Sequence, residues 1–134
     1  MANLAHIEGI GEAYSTKLKA AGIKNTNQLL EFGGTPAGRK EIAQKTGISE
    51  QIILQWVNHV DLYRIKGIGS EYADLLEIAG VNTVLELAQR NPANLYQKLI
   101  DVNNEKKLVR RPPSDRQVAD WIAQAKELPR AIQY

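Results

Sequence analysis

The chain has 134 residues, a formal net charge of +2 and 43% hydrophobic residues, which is typical of one folded domain or two small ones and not of a disordered chain. It contains no cysteine, which excludes disulfide scaffolds, zinc fingers, iron–sulfur clusters and cysteine nucleophiles. The first residues lack the basic and apolar regions of a secretory signal, and the apolar runs are too short to span a membrane, so a cytoplasmic location is expected.

Capping residues and glycines divide the chain into helices, and no period-2 strand pattern is found, so the predicted fold class is all-α. The first half is predicted to hold a helix over 12–21 that ends at Gly22, a short helix capped by Thr26 that stops at Gly33, a helix opened by Thr35-Pro36 that ends at Gly47, and a helix capped by Ser49. The second half is predicted to hold a helix capped by Ser70 that ends at Gly80, a helix over 84–90 capped by Thr83, a longer helix opened by Asn91-Pro92, and a last helix capped by Ser114 that reaches Leu128.

The second half of the sequence repeats the first. Residues 7–23 (IEGIGEAYSTKLKAAGI) and residues 65–81 (IKGIGSEYADLLEIAGV) coincide at many positions with an offset of 58 residues. A weaker match relates residues 49–56 to residues 114–121. The chain is therefore predicted to be a tandem duplication, with one repeat at 1–62 and the other at 63–134.

Aromatic residues and histidines at helical spacing are interpreted as structural. Trp56 and Trp121 hold equivalent positions on apolar stripes and are predicted to be buried core anchors. The sequence predicts that Tyr14 and Tyr72 lie mostly in the core with their hydroxyls at the surface. The two histidines, His6 and His59, have no partner at metal-ligand spacing and are expected at the surface or at its boundary.

Each repeat opens with a glycine–hydrophobe–glycine sequence followed at once by a helix, Gly9-Ile10-Gly11 in the first repeat and Gly67-Ile68-Gly69 in the second. A tight turn needs glycine where φ is positive, and the hydrophobe between the glycines can enter the core. Such a turn directs backbone N–H groups outward at the N-terminus of the next helix. This geometry can bind a phosphate without a charged side chain and without reading a base.

The segments Ile7-Glu8-Gly9-Ile10-Gly11 and Ile65-Lys66-Gly67-Ile68-Gly69, with the helices that follow them, resemble helix-hairpin-helix motifs. That resemblance implies contact with DNA phosphates without sequence preference, and two motifs paired into one unit. Residues 45–81 and 87–130 resemble an uncharacterised bacterial family of tandem helix-hairpin-helix proteins, domain of unknown function 4332. The resemblance covers nearly the whole chain and implies a fold and a nucleic-acid role.

Charged side chains distinguish the two hairpins. Glu8 and Glu12 flank the first hairpin and should repel a phosphate, so Gly9, Ile10 and Gly11 are interpreted as mainly a structural turn. The second hairpin has a lysine before it and a serine after it and is the better candidate for phosphate binding, with a purely structural turn as the alternative. The predicted nucleic-acid-binding residues are Lys66, Gly67, Ile68, Gly69 and Ser70 at the hairpin, and Lys106, Lys107, Arg110 and Arg111 in the largest basic cluster.

A second DNA-like pattern lies at residues 42–56, where a small residue, a glycine and spaced hydrophobes match a helix-turn-helix motif. The second helix offers no basic residue to a groove, so the pattern favours an ordinary helix–helix corner. The sequence contains no serine–histidine–acid arrangement, no converging set of carboxylates and no nucleotide-binding loop. We therefore predict no enzymatic activity, no metal and no cofactor.

Two functions remain open on these observations. The first is weak, non-sequence-specific binding of DNA through its backbone, mainly by the second repeat. The alternative is a protein-interaction or scaffold module that has kept the fold without binding DNA; the glutamates at the first hairpin and the zero net charge of residues 1–62, against +2 for residues 63–134, favour it. Neither function involves a membrane, and the sequence leaves the oligomeric state open.

Overall fold

The structure, a computed structural model, describes Leu4, Ile7 and residues 10–134. Its helices are α1 (Glu12–Ala20), α2 (Thr26–Gly33), α3 (Pro36–Thr46), α4 (Glu50–Leu62), α5 (Ser70–Ile78), α6 (Val84–Ala88), α7 (Pro92–Lys106) and α8 (Asp115–Glu127). These described residues contain no strand, which confirms the predicted all-α class. None of the helices among them is long and apolar enough to cross a membrane.

The helices are distributed over two units. Unit 1 consists of residues 1–61 together with residues 131–134, and unit 2 consists of residues 62–130. In unit 1, α1 and α2 pack against α3; in unit 2, α6 and α7 pack against α8, and α5 packs against α7. The last four residues therefore belong to unit 1, whereas the sequence assigned all of residues 63–134 to the second repeat.

Six helices begin with a side-chain cap, in which an oxygen accepts the backbone N–H three residues further on and satisfies an amide that the helix leaves without a partner. The caps are Asn25, Thr35, Ser49, Thr83, Asn91 and Ser114. Five of them are as predicted, but α2 is capped by Asn25, and Thr26 is its first helical residue. The predicted helix over 84–90 is shorter and ends at Ala88.

The same backbone turns occur in both units at the 58-residue offset of the repeat. The N–H of Ile10 donates to the carbonyl of Ile7 over 3.0 Å, and the N–H of Ile68 donates to that of Ile65 over 3.2 Å. The turns that follow α1 and α5 both contain a glycine with positive φ, Gly22 at 92° and Gly80 at 97°. These two turns thus have matching backbone geometry in the two units.

A tyrosine lies against the buried tryptophan in each unit. The ring centroids of Tyr14 and Trp56 are 5.2 Å apart, as are those of Tyr72 and Trp121. The tryptophans are 5% and 2% exposed, which confirms them as buried anchors. Tyr14 departs from its prediction because it is 36% exposed; its ring packs against Trp56 with an angle of 63° between the ring planes.

His59 is buried, contrary to the prediction that it lies at the surface or its boundary. It follows Trp56 by three residues on α4 and therefore shares the buried face of that helix. The other histidine, His6, lies outside the described residues.

The two glycines of the second hairpin have different backbone conformations. Gly67 has a φ of +100°, and a Cβ added there would lie 3.0 Å from the indole nitrogen of Trp121. Gly69 has a φ of −106°, and an added Cβ would meet no described heavy atom within 4 Å. A larger residue would therefore be strained by the backbone at Gly67, whereas neither the backbone conformation nor a close described atom opposes one at Gly69.

We predict that Gly67→Ala lowers the free energy of unfolding by roughly 1–3 kcal/mol, because alanine is strained at positive φ. Gly69→Ser is the matched control: serine fits the backbone there, is a favoured N-cap residue and should leave the stability unchanged or raise it. Urea denaturation of both variants measures the difference. Equal losses in the two variants would contradict the assignment of strain to Gly67 alone.

Candidate functional site

The second hairpin, residues 65–69, is held by the side chain of Gln124 on α8. The backbone N–H of Lys66 donates to Gln124 Oε1 over 2.9 Å, and Gln124 Nε2 donates to the carbonyl of Lys66 over 3.1 Å. The same Nε2 donates to Asp120 Oδ2 over 2.9 Å. The N–H of Lys66 is thus engaged within unit 2, and the exposed ammonium group is what this residue can offer to an anion.

Sequence reasoning did not identify Gln124 as a functional residue. Its signal in the sequence is its place on α8, three residues after Trp121 and so on the same helical face as that buried anchor. A glutamine on a helix is usually solvated, and nothing local marks one whose amide pairs with a distant backbone.

Helix α5 begins at this hairpin without a side-chain cap. Gly69 is its N-cap residue and Ser70 its first helical residue, so the prediction that Ser70 caps the helix is wrong. Of the eight helices in the described part of the chain, only α1 and α5, which both follow a glycine–isoleucine–glycine sequence, lack a side-chain cap hydrogen bond. The first-turn amides of α5 therefore lie at the positive end of the helix dipole with no cap oxygen from a side chain.

The isoleucine and the serine of this hairpin have structural roles in unit 2. Ile68 is 5% exposed, and its N–H closes the turn, so it can support a ligand only by holding the turn in the core. Burial raises the pKa of Tyr63, while a side-chain hydrogen bond with Ser70 has the opposite effect on that pKa. The Ser70 side chain thus lies near Tyr63, and the contribution expected from this residue to anion binding comes from its backbone.

The basic cluster surrounds the connection between α7 and α8. Lys107 ends α7 in the left-handed region with a φ of 53°. The buried side chain of Asn103 then donates to the carbonyl of Val109 over 3.1 Å and accepts its N–H over 3.0 Å. This pair of hydrogen bonds fixes the connection from inside, while the predicted binding residues stay exposed, namely Lys106, Lys107, Arg110 and Arg111.

A surface groove within unit 2 joins this basic connection to the first turn of α5. Its lining residues are Glu71, Asn103, Asn104, Lys107, Leu108, Val109, Arg110 and Pro112. The Tyr72 hydroxyl donates to the carbonyl of Arg111 over 2.9 Å, which holds α5 against the connection. The structure therefore brings Lys107 and Arg110 beside the start of α5, together with the carboxylate of Glu71; Lys66 and Lys106 are not among the residues that line the groove.

The first hairpin is described only from Ile10 onward, and Gly9 lies outside the described residues. Ile10 is 2% exposed, and Gly11 is the N-cap residue of α1 with a φ of −83°. Glu12 is the first residue of α1 and is exposed, so its carboxylate stabilises the helix dipole where an anion would otherwise sit. The interpretation of Gly9, Ile10 and Gly11 as mainly a structural turn stays a prediction.

A family model described as a domain of unknown function, DUF4332, matches residues 8–128. The chain therefore belongs to this family, as the resemblance over residues 45–81 and 87–130 led us to expect. No solved structure matches the chain. The family description assigns no activity, so the function has to be argued from the groove and the hairpin.

We predict that Gln124→Ala accelerates hydrogen exchange of the Lys66 amide by about five- to twentyfold, because one or two hydrogen bonds worth about 1 kcal/mol each are lost. Gln97→Ala is the matched control, since Gln97 also bonds an aspartate four residues away on its helix but contacts no hairpin. Hydrogen exchange followed by NMR measures the rate of the Lys66 amide in both variants. An unchanged Lys66 rate would show that Gln124 does not hold the hairpin.

Proposed function

We propose that the protein is a non-catalytic, cytoplasmic protein of two tandem helix-hairpin-helix units that binds DNA weakly and without sequence preference, through phosphate contacts of unit 2. The observation that supports this most is the shared groove. The start of α5, which has no side-chain cap, lies beside Lys107 and Arg110. Backbone amides at a helix N-terminus and cationic side chains are two groups that proteins commonly use to bind phosphate oxygens.

The proposed contacts divide between backbone and side chains. The amides at Gly69 and Ser70 would bind one phosphate in the field of the α5 dipole, with the ammonium of Lys66 adding charge. Lys107 and Arg110 would bind neighbouring phosphates along the strand, with Lys106 and Arg111 flanking them. Gly67 and Ile68 would contribute by holding the turn. None of these groups reads a base edge, so the binding would not depend on sequence.

Glu71 limits the affinity of such a site. Its carboxylate lines the same groove as the two cations, which leaves a net charge of only +1 there and repels a phosphate. We therefore expect contact with about two to five phosphates and a log–log dependence of affinity on salt with a slope of roughly −2 to −4.

We predict that Lys107→Glu with Arg110→Glu abolishes binding to a fluorescent DNA duplex at low salt, because each change turns attraction into repulsion, whereas Glu71→Lys strengthens binding and steepens the salt slope by about one. Lys98→Glu with Lys126→Glu is the matched control, since it changes the net charge equally at exposed positions outside the groove. Fluorescence anisotropy with duplexes of two unrelated sequences measures all four proteins.

Two results of this titration would contradict the proposal. Non-specific DNA binding falls in the range of about 1–100 μM at physiological salt, so the absence of any anisotropy change at about 100 μM protein in low salt excludes it. Equal losses in the groove variant and the control variant would mean that net charge, and not this groove, governs the binding.

The alternative function is a protein-interaction module that keeps the fold without binding DNA. The exposed apolar side chains of unit 2 favour it, with Ile78 55%, Leu85 44% and Leu108 39% exposed. Large apolar side chains at a surface are a common feature of protein interfaces. This alternative replaces the DNA proposal if the titration shows no binding.

A further inference from the structure

Residues 131–134, here called the tail segment, occupy a specific site on unit 1. The N–H of Gln133 donates to the carbonyl of Gly34 over 2.7 Å, and its carbonyl accepts from Arg39 Nη2 over 2.8 Å. Ile132 is 3% exposed, and the Tyr134 hydroxyl is 3.3 Å from Asn58 Oδ1. Both backbone groups of Gln133 are bound and the residue before it is buried, so unit 1 contacts the tail segment through its backbone and through one apolar side chain.

Two residues of unit 1 are adapted to this tail segment. A Cβ on Gly34 would lie 2.8 Å from the carbonyl oxygen of Ala131 and 2.8 Å from that of Leu30, so glycine permits the close approach of the tail segment as well as the turn at the end of α2. Arg39 is 5% exposed and donates to the carbonyl of Gly33 over 2.9 Å as well as to Gln133. A buried guanidinium needs acceptors, and an empty site would remove one of them. The site therefore favours an occupant.

We propose that this site, formed by Gly33, Gly34, Arg39 and Asn58, is a peptide-binding site that also takes the tail segment of a second copy of the chain, which links two copies by exchange. A second copy carries the same segment and so satisfies the same donors and acceptors. The connection favours exchange: Pro129 is bound within unit 2, where its carbonyl accepts from Arg64 Nη2 over 2.6 Å, and Arg130 alone separates it from the tail segment. Short connections of this kind promote exchange of segments between copies.

The chain's own tail segment competes with the tail segment of a second copy for the site, and this competition determines whether exchange can be detected. A short linker gives the tethered segment an effective concentration in the millimolar range, so the chain's own segment occupies the site in dilute protein. A test has to disable the site in one copy and the segment in the other. Two full-length variants do this: Arg39→Met removes the donors of the site, and Ile132→Asp places a charge on the buried residue of the segment.

The experiment is an NMR titration of ¹⁵N-labelled Ile132→Asp with unlabelled Arg39→Met. We expect the amide signals of Gly33, Gly34 and the side-chain amide of Asn58 to shift saturably, because the intact segment of one copy enters the intact site of the other. The control titrant is Arg39→Met/Ile132→Asp, which has neither an intact site nor an intact tail segment. We expect its apparent affinity to be lower by about tenfold or more, because one buried anchor is lost.

The absence of shifts at about 1 mM titrant would overturn the proposal, because the tethered segment works at that effective concentration. Shifts of equal size with both titrants would also overturn it, since they would not depend on the segment. If Ile132→Asp gives no dispersed spectrum, Gln133→Pro replaces it, because proline removes the N–H that donates to Gly34 and places no charge in the buried position of Ile132. The outcome is independent of DNA binding.

Discussion

The pairing of Gln124 with both backbone groups of Lys66 is the interaction on which the candidate site depends. It fixes the second hairpin on α8, and Gly67 then lies against Trp121 because there is no Cβ between them. The hairpin sets where α5 begins, and Tyr72 in the first turn of α5 reaches the basic connection through the carbonyl of Arg111. Glu71 in the first turn of α5 and two cations that are distant in sequence, Lys107 and Arg110, thus line one groove.

The missing cap on α5 is informative because the rest of the chain caps its helices so consistently. A side-chain cap stabilises a helix by about 0.5–2 kcal/mol, and serine stands at position 70, one residue too late to provide it. The side chain of Ser70 lies near Tyr63 instead. A glycine at the cap position supplies no side-chain oxygen to the first-turn amides of α5, and amides at a helix N-terminus are groups that proteins commonly use to bind anions. The same absence in α1 is offset by Glu12, whose charge occupies the corresponding field.

The sequence predicted what is encoded locally. Caps act over three residues, so five of six could be assigned, and the sixth differed by one position because asparagine and threonine are both good caps and stand side by side at Asn25 and Thr26. The need for a glycine with positive φ in the second hairpin could be predicted from the geometry of tight turns, but the neighbouring residues did not show whether it would be Gly67 or Gly69. The long-range pairs could not be predicted: Gln124 and Lys66 are 58 residues apart, and Arg39 and Gln133 are 94 residues apart. A periodic pattern specifies which face of a helix is buried but not which distant backbone a polar side chain meets.

The two units use the same local framework for different surfaces. The offset that relates Trp56 to Trp121 also relates His59 to Gln124. Unit 1 therefore has a histidine at the position where unit 2 has the glutamine that binds the hairpin. They differ again at the first residue after the hairpin, where Glu12 in unit 1 corresponds to Ser70 in unit 2. The turn hydrogen bonds, the glycines with positive φ and the tyrosine–tryptophan pairs nevertheless occur in both units. The described parts of the two units therefore share local contacts and differ in the side chains around the hairpin. Under the two proposals, unit 2 binds an anionic partner, while unit 1, through Arg39 and Gly34, binds a peptide.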